Sequence, residues 1–335
     1  MEVADAVETR LDTDGAAATP PLLHIDELSV TFRARGGRDL AAVDAVSLGL
    51  ERGESLGIVG ESGSGKSMTA LSVMRLLPES AAVSGQIRLE GRDLLSCSEA
   101  EMRRVRGDEV GMVFQDPMTG LNPVRRVGTM LRESIRRHRS VSRAQADEQA
   151  EAILRSVGIP SPRERLDAYP HQLSGGLRQR VMIALALVND PKLVIADEPT
   201  TALDSTIQAQ ILDVLREQVS RSALVLITHD LGVASELCDR VAVMYAGRIV
   251  EHGPTAEVLR SPRHPYTVGL LEAAPDFAKR GRRMAPIPGA PPQLGQVPHG
   301  CPFRPRCERA DDTCEQWPGL EERHDRLVAC WYPHD

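Results

Sequence analysis

The segment Gly60-Glu61-Ser62-Gly63-Ser64-Gly65-Lys66-Ser67 fits the pattern G-x-x-x-x-G-K-S/T over its full length. It constrains the fold more than any other stretch, because such a loop works only between a buried strand and the start of a helix. Both neighbours read that way: Leu56 to Val59 is a short apolar run, and Met68 to Leu77 is helical in pattern. The glycines let backbone N–H groups turn inward as a nest for an anion, and the helix dipole adds favourable charge at the same spot. In this arrangement Gly60, Glu61, Ser62, Gly63, Ser64 and Gly65 cradle phosphates. Lys66 supplies a point charge, and Ser67 offers its hydroxyl to Mg2+. A chance Gly/Ser loop is the competing reading, and the full match in its context weighs against it.

A second apolar run, Leu193-Val194-Ile195-Ala196, ends in Asp197-Glu198. Beside a phosphate loop, Asp197 is expected to hold Mg2+ through its water shell and Glu198 to polarise an attacking water as general base. Acids at strand ends are common, so the weight comes from the company they keep. Leu193 to Ala196 and Ala223 to Ile227 each follow a helical stretch, the alternation of a parallel α/β sheet. Upstream, Leu23 to Phe32 and Ala42 to Leu50 read as strands.

With 335 residues, 41% of them hydrophobic, the chain has material for two or three domains and is not disordered as a whole. Its longest apolar run, Val181 to Val188, is eight residues, against the ~20 that a membrane-spanning helix needs. Residues 1–21 read as an acidic, Ala-rich disordered tail without the pattern of a secretory signal. The net charge of −7 argues against a dedicated nucleic-acid binder. Arg125 to Arg143 holds seven arginines and one glutamate. Without aromatics, that stretch reads as a solvated or partner-facing helical surface before it reads as a nucleic-acid patch. Only three of the 40 basic residues are lysines, so Lys66 stands out in its loop.

Leu173-Ser174-Gly175-Gly176-Leu177-Arg178-Gln179-Arg180 resembles the signature of ATP-binding-cassette (ABC) ATPases. Gln115 in Val113-Phe114-Gln115-Asp116, Asp204 in Thr201-Ala202-Leu203-Asp204, and His229 in Ile227-Thr228-His229-Asp230 match that family's Q-loop, D-loop and switch histidine, in its order. The resemblance covers about 22–275. It implies a P-loop NTPase fold: a RecA-like core, an antiparallel β subdomain, and a helical signature subdomain at about 116–188. It also implies a mechanism in which two cassettes close face to face on two ATP molecules. Ser174, Gly175 and Gly176 would then reach the γ-phosphate held by the partner. Gln115 would sense Mg2+ and the attacking water, His229 would contact the γ-phosphate, and Asp204 would line the interface. Phe32 is the one aromatic near the first strand's end, either an adenine-stacking residue or a core residue.

Leu177 stands where glutamine is frequent in the family. An apolar residue there resembles the dipeptide/oligopeptide importer subgroup, as do Gln115 to Pro123, Tyr169-Pro170-His171-Gln172 and Ser261 to Thr267. That likeness implies an ATPase on the cytoplasmic face of the membrane. Its partners would be two permease subunits, a second and homologous cassette, and an extracytoplasmic solute-binding protein, with no nucleic acid. Nickel importers share much of this text, so the solute stays open. A soluble ABC ATPase of DNA repair or translation is the rival class, and the lack of a coiled-coil insertion or second cassette counts against it. An exporter ATPase is disfavoured by the peptide-importer-like text.

Residues 276–335 comprise a Pro-rich linker, at about 276–300, and then Cys301-x5-Cys307-x6-Cys314-x15-Cys330. Four thiols so close together suit a 4Fe–4S cluster or tetrahedral Zn2+, and similar tails occur in the peptide-importer ATPases. Free or merely buried cysteines are the alternative. The expectation is a small separate module stapled by a cluster, with Cys97 and Cys238 serving only as packing residues.

Overall fold

The computed structural model describes residues 20–33, 39–201, 205–219, 221–274, 286–323 and 325–335, and of residues 205, 218 and 219 the backbone alone. The expected N-terminal tail up to residue 19, Asp204 and the first part of the linker lie outside these.

Twelve strands are described: β1 (Leu23–Arg33), β2 (Asp39–Leu50), β3 (Ser55–Val59), β4 (Ala81–Leu89), β5 (Arg92–Asp93), β6 (Val110–Val113), β7 (Leu193–Asp197), β8 (Ala223–Thr228), β9 (Arg240–Tyr245), β10 (Arg248–Pro254), β11 (Glu321–Glu322) and β12 (Leu327–Val328). They form two sheets, one in the order β2-β1-β4-β5 and the other β11-β12-β10-β9-β3-β8-β7-β6. The first is antiparallel throughout. In the second, β6, β7, β8, β3 and β9 run parallel, and β10 reverses direction against β9.

The parallel strands are apolar residue after residue because both their faces are covered. Along β9, Val241, Val243 and Tyr245 join one core while Ala242 and Met244 join the other. The antiparallel sheet supplies the second core through Ile25, Val30, Val43, Leu48 and Ile87. The first core continues into the helical subdomain, whose helices Val127–His138, Arg143–Ser156 and Gly175–Leu187 contribute Leu131, Ile135, Ala150, Leu154, Val181 and Ile183. The first two are separated by residues 139–142. Ser142 caps the second with a reciprocal Ser142–Gln145 capping box.

The expectation of a separate C-terminal module is corrected. The tail is built onto the cassette: β12 pairs with β10 through Glu251↔Val328 and His252↔Leu327, and so extends the main sheet. Cys301, Phe303 and Cys314 join the first core. The physical reason is size, since about 35 residues cannot bury a core of their own and gain more by covering an existing sheet edge. Among the described residues, no helix is long and apolar enough to cross a membrane.

Candidate functional site

The phosphate loop leaves β3 and enters the helix Lys66–Met74. Gly65 at the helix start has φ +108°, and a Cβ there would come within 2.6 Å of the Ala42 carbonyl, so only glycine lets the loop pass beneath β2. The Lys66 ammonium folds back over the loop and donates to the carbonyls of Gly60 (2.7 Å) and Glu61 (2.9 Å). Burial pulls the Lys66 pKa below that of an ordinary lysine, although Glu198, Asp197 and Glu61 pull the other way. A phosphate brought to this loop gives that half-desolvated cation a partner.

The two acids expected from sequence stand beside it. Asp197 ends β7, and its Oδ1 accepts the Ser67 hydroxyl at 3.1 Å. Burial raises the Asp197 pKa despite that hydrogen bond. Two oxygen ligands facing each other at the loop fit a hard divalent cation that keeps its waters. Glu198 follows with φ +45°, a left-handed conformation that disfavours any residue with a Cβ. Its backbone is pinned by donation from its N–H to the Ile227 carbonyl (2.8 Å), and this turn swings the carboxylate toward three side chains. Thr201 Oγ1 donates to Glu198 Oε2 (2.7 Å), Gln115 Nε2 reaches the same oxygen (3.3 Å), and His229 Nδ1 lies 3.3 Å from Oε1. Burial works to raise the Glu198 pKa, but Thr201 and His229 outweigh it and hold the carboxyl below its ordinary value. An ionised Glu198 amid three polar side chains is in the charge state that a proton acceptor requires.

The structure therefore gathers Gln115, Glu198 and His229 with the loop from distant parts of the chain. Ser174, Gly175 and Gly176 are not among the residues lining this cleft. They begin the signature helix, where the exposed Ser174 is the N-cap and its Oγ accepts from the Leu177 N–H. Gly176 is packed against Ile207, with room for no Cβ. Phe32 does line the cleft, together with Ala42. Asp204 lies outside the described residues.

Three contributors were not read from the sequence. In the sequence Thr201 is only the start of a motif. Arg306 grips Glu61 from the tail, and Pro291, Pro292, Gln293 and Leu294 line the cleft. The phosphate-loop pattern carries no signal for them, because their contribution depends on where the tail docks. The arginine-rich stretch forms a separate open cleft lined by Arg125, Arg132, Arg136, Arg137 and Arg143, with Arg125 paired to Glu133 and Arg132 to Asp147.

Cys301, Cys307, Cys314 and Cys330 all line one narrow cavity in the tail. As they stand, no three His, Cys, Asp or Glu side chains among the described residues are placed to hold a metal ion. Burial, reinforced by the neighbouring thiols, raises the pKa values of Cys301 and Cys307, and that of Cys330 to about 11.

Profiles of two families match the chain: "ABC transporter" over residues 43–201 and "Oligopeptide/dipeptide transporter, C-terminal region" over residues 250–314. The oligopeptide transport ATP-binding protein OppD of Salmonella typhimurium is 48% identical over 315 residues, covering 93% of this chain and 94% of the relative. The dipeptide transport ATP-binding protein DppD of Bacillus subtilis is 47% identical over 316 residues, covering 92% and 94%. Among solved structures, a dimeric bacterial ABC transporter cassette matches with a TM-score of 0.63 and 26% identity, over 70% of this chain and 98% of its own.

Proposed function

This chain belongs to the ATP-binding proteins of the peptide-importer family of ABC transporters, and from that membership we propose how its residues perform the work. The protein is an ABC-type ATPase whose hydrolysis energises peptide import. The chemical assignment rests above all on the cluster of Gln115, Thr201 and His229 around Glu198, beside the phosphate loop.

ATP binds with its phosphates in the nest of Gly60 to Ser67, and Lys66 moves from the loop carbonyls to the phosphates. Ser67 and Asp197 would hold Mg2+, which would supply positive charge to offset that of the phosphates. Glu198 accepts the proton of the attacking water. Gln115 orients that water, and His229 sits at the γ-phosphate end. The signature residues Ser174, Gly175 and Gly176 offer an exposed helix N-terminus to the nucleotide of a second cassette, with Asp204 at the interface. Their absence from the chain's own cleft supports this reading, as does a solved relative described as a dimeric cassette bound to ADP and Pi. The expected partner cassette is a homologue.

The chain brings no membrane-crossing helix among its described residues. We place it on the cytoplasmic face beneath two permease subunits supplied by a solute-binding protein. The docking surface is the segment after Gln115, where Met118 and Val124 are 56% and 79% exposed. Replacing residues 116–124 by a Gly/Ser linker is expected to abolish co-purification with the permeases. Retained co-purification would sink the docking assignment. The transported solute is a dipeptide or oligopeptide, with nickel as the alternative, and uptake assays with labelled peptide and with nickel separate the two.

A second reading concerns the tail. That four cysteines converge on one cavity favours a 4Fe–4S cluster or Zn2+ held by Cys301, Cys307, Cys314 and Cys330. Such a group would take the thiols as thiolates and draw them together. Iron, sulfide and zinc analysis of anaerobically purified protein, with a visible absorption spectrum, decides among cluster, zinc and free thiols.

A further inference from the structure

The cleft beside the phosphate loop has a wall that the cassette motifs do not provide. Its volume is about 530 Å3, and besides the loop, Gln115 and Glu198 it is lined by Phe32, Pro291, Pro292, Gln293 and Leu294. The last four belong to the tail segment that leads from the linker to Cys301. Leu294 is a large apolar side chain that remains 48% exposed at the cleft instead of joining a core.

This segment is anchored at both ends. On the loop side, Arg306 Nε donates to the Pro288 carbonyl (2.8 Å) while its two Nη atoms hold Glu61 of the phosphate loop. At the other end, the Gln296 N–H donates to the Gln293 carbonyl (2.8 Å), closing a turn. The positive φ of that turn favours glycine. Gly295 has φ +84°, and a Cβ there would stand 2.7 Å from Leu40 Cδ2. Leu40 is the cross-strand partner of Phe32 in the β1–β2 pair, so the turn is seated on the hairpin that carries Phe32. Between the anchors, Pro291-Pro292 fixes the backbone in an extended form, which costs little entropy to keep as a wall.

A nucleotide with its phosphates on the loop must send its base along this cleft. Gln115 and Glu198 occupy the hydrolytic end, which leaves the end bounded by Phe32 and the tail. We infer that Pro291 to Leu294 form the outer wall of the base subsite, enclosing the purine against Phe32. Leu294 and the prolines supply apolar contact, and the exposed Gln293 amide offers a donor and an acceptor to the base edge. The tail is then part of the nucleotide site in the same chain. This assignment rests on the phosphate-loop reading above.

The test uses the full chain and Mg-ATP. Leu294→Ser, at an exposed position, and the combined Pro291→Gly/Pro292→Gly variant are compared with the wild type by equilibrium binding and by steady-state hydrolysis. Loss of apolar enclosure on one face of the base is expected to weaken ATP binding about five- to tenfold, as a rise in KM with a much smaller change in kcat. Independently, 8-azido-ATP is expected to photolabel the wild-type tail peptide that contains residues 291–294. Unchanged ATP affinity in both variants, with label confined to β1 and β2, overturns the inference so long as Lys66→Ala abolishes binding. Unimpaired binding by Lys66→Ala overturns the loop reading, and this wall with it.

Discussion

Arg306 and Glu61 tie the tail to the phosphate loop by a two-pronged ion pair: Arg306 Nη1 lies 2.6 Å from Glu61 Oε2, and Nη2 lies 3.1 Å from Oε1. The guanidinium also stands 5.8 Å from the ring centres of both Tyr245 and Phe303. Burial works against its charge, but the hydrogen bonds to Glu61 and Tyr245 outweigh that and raise its pKa further above the ordinary arginine value. Glu61 is held from a second side, since its N–H donates to the Tyr266 hydroxyl at 2.8 Å. The loop that receives the phosphates is therefore braced by the tail and by the helix Pro265–Ala273.

Lysine cannot reproduce a planar fork, so Arg306→Lys is expected to loosen the loop. ATP affinity should fall about three- to tenfold and the melting temperature should drop by several degrees. Glu61→Gln removes the other half of the pair and should act in the same direction. Because both changes break one interaction, the double variant should lose clearly less than the sum of the singles. Strict additivity in ATP binding would falsify the brace.

Glu198→Gln keeps the hydrogen bond from Thr201 but removes the proton acceptor. Turnover should fall about 10²- to 10⁴-fold while ATP binding persists, and size-exclusion chromatography with Mg-ATP should show a closed pair of cassettes. His229→Ala should cost hydrolysis in the same assay. Thr201→Val removes the hydroxyl that helps hold Glu198 ionised, so its rate profile should shift toward higher pH on the acidic limb. An unshifted limb would show that Thr201 does not tune Glu198.

The cassette was legible in the sequence because its motifs are local. Gly60 to Ser67 carry their own strand and helix, and Asp197-Glu198 end a strand whose apolar run is unmistakable. What the local pattern does not carry is long-range. Nothing near Arg306 says that it meets Glu61, and nothing in Leu327-Val328, the start of a short apolar run to Trp331, says that they extend the main sheet. The tail therefore read as a separate module, whereas the partly filled edge at β10 provides the apolar contact that a short cysteine-rich segment lacks. The pull of Thr201 on Glu198 was hidden for a different reason, since it depends on the left-handed backbone at Glu198.

The tail's other anchor is the buried pair of Glu251 on β10 and Arg326, which are 0% and 5% exposed in their side chains. Glu251 also accepts the backbone N–H groups of Arg263 (2.9 Å) and His264 (2.9 Å). Arg326 donates to the carbonyls of Ser261 (2.8 Å) and Glu257 (3.0 Å). Removing one member of such a pair strands the other, so Arg326→Ala should cost about 3–5 kcal/mol in chemical unfolding. Hydrogen exchange should rise first in β10, β12 and the cysteine-bearing tail. A loss spread evenly over the molecule would contradict the role of this pair as the local anchor.

Acid should weaken the same region for a separate reason. His264 is the N-cap of the helix Pro265–Ala273, and its Nδ1 accepts the Tyr266 N–H at 3.0 Å, which requires an unprotonated nitrogen. Burial, helped by His334, pushes its pKa down to about 3, and burial with Arg240 pushes that of His252 down to about 4. The unfolded chain takes up these protons near the ordinary value of 6.5. Below that pH it therefore binds more protons than the folded chain, and stability falls with pH until the folded pKa values are reached. The expected loss is roughly 2 kcal/mol per histidine by about pH 5. His264→Asn retains a good capping side chain and removes the titration. It should lower the melting temperature at neutral pH, because a smaller group fills the site, yet roughly halve the decline between about pH 6.5 and 4. A variant whose melting temperature falls with acid as steeply as the wild type's would remove His264 from the acid response.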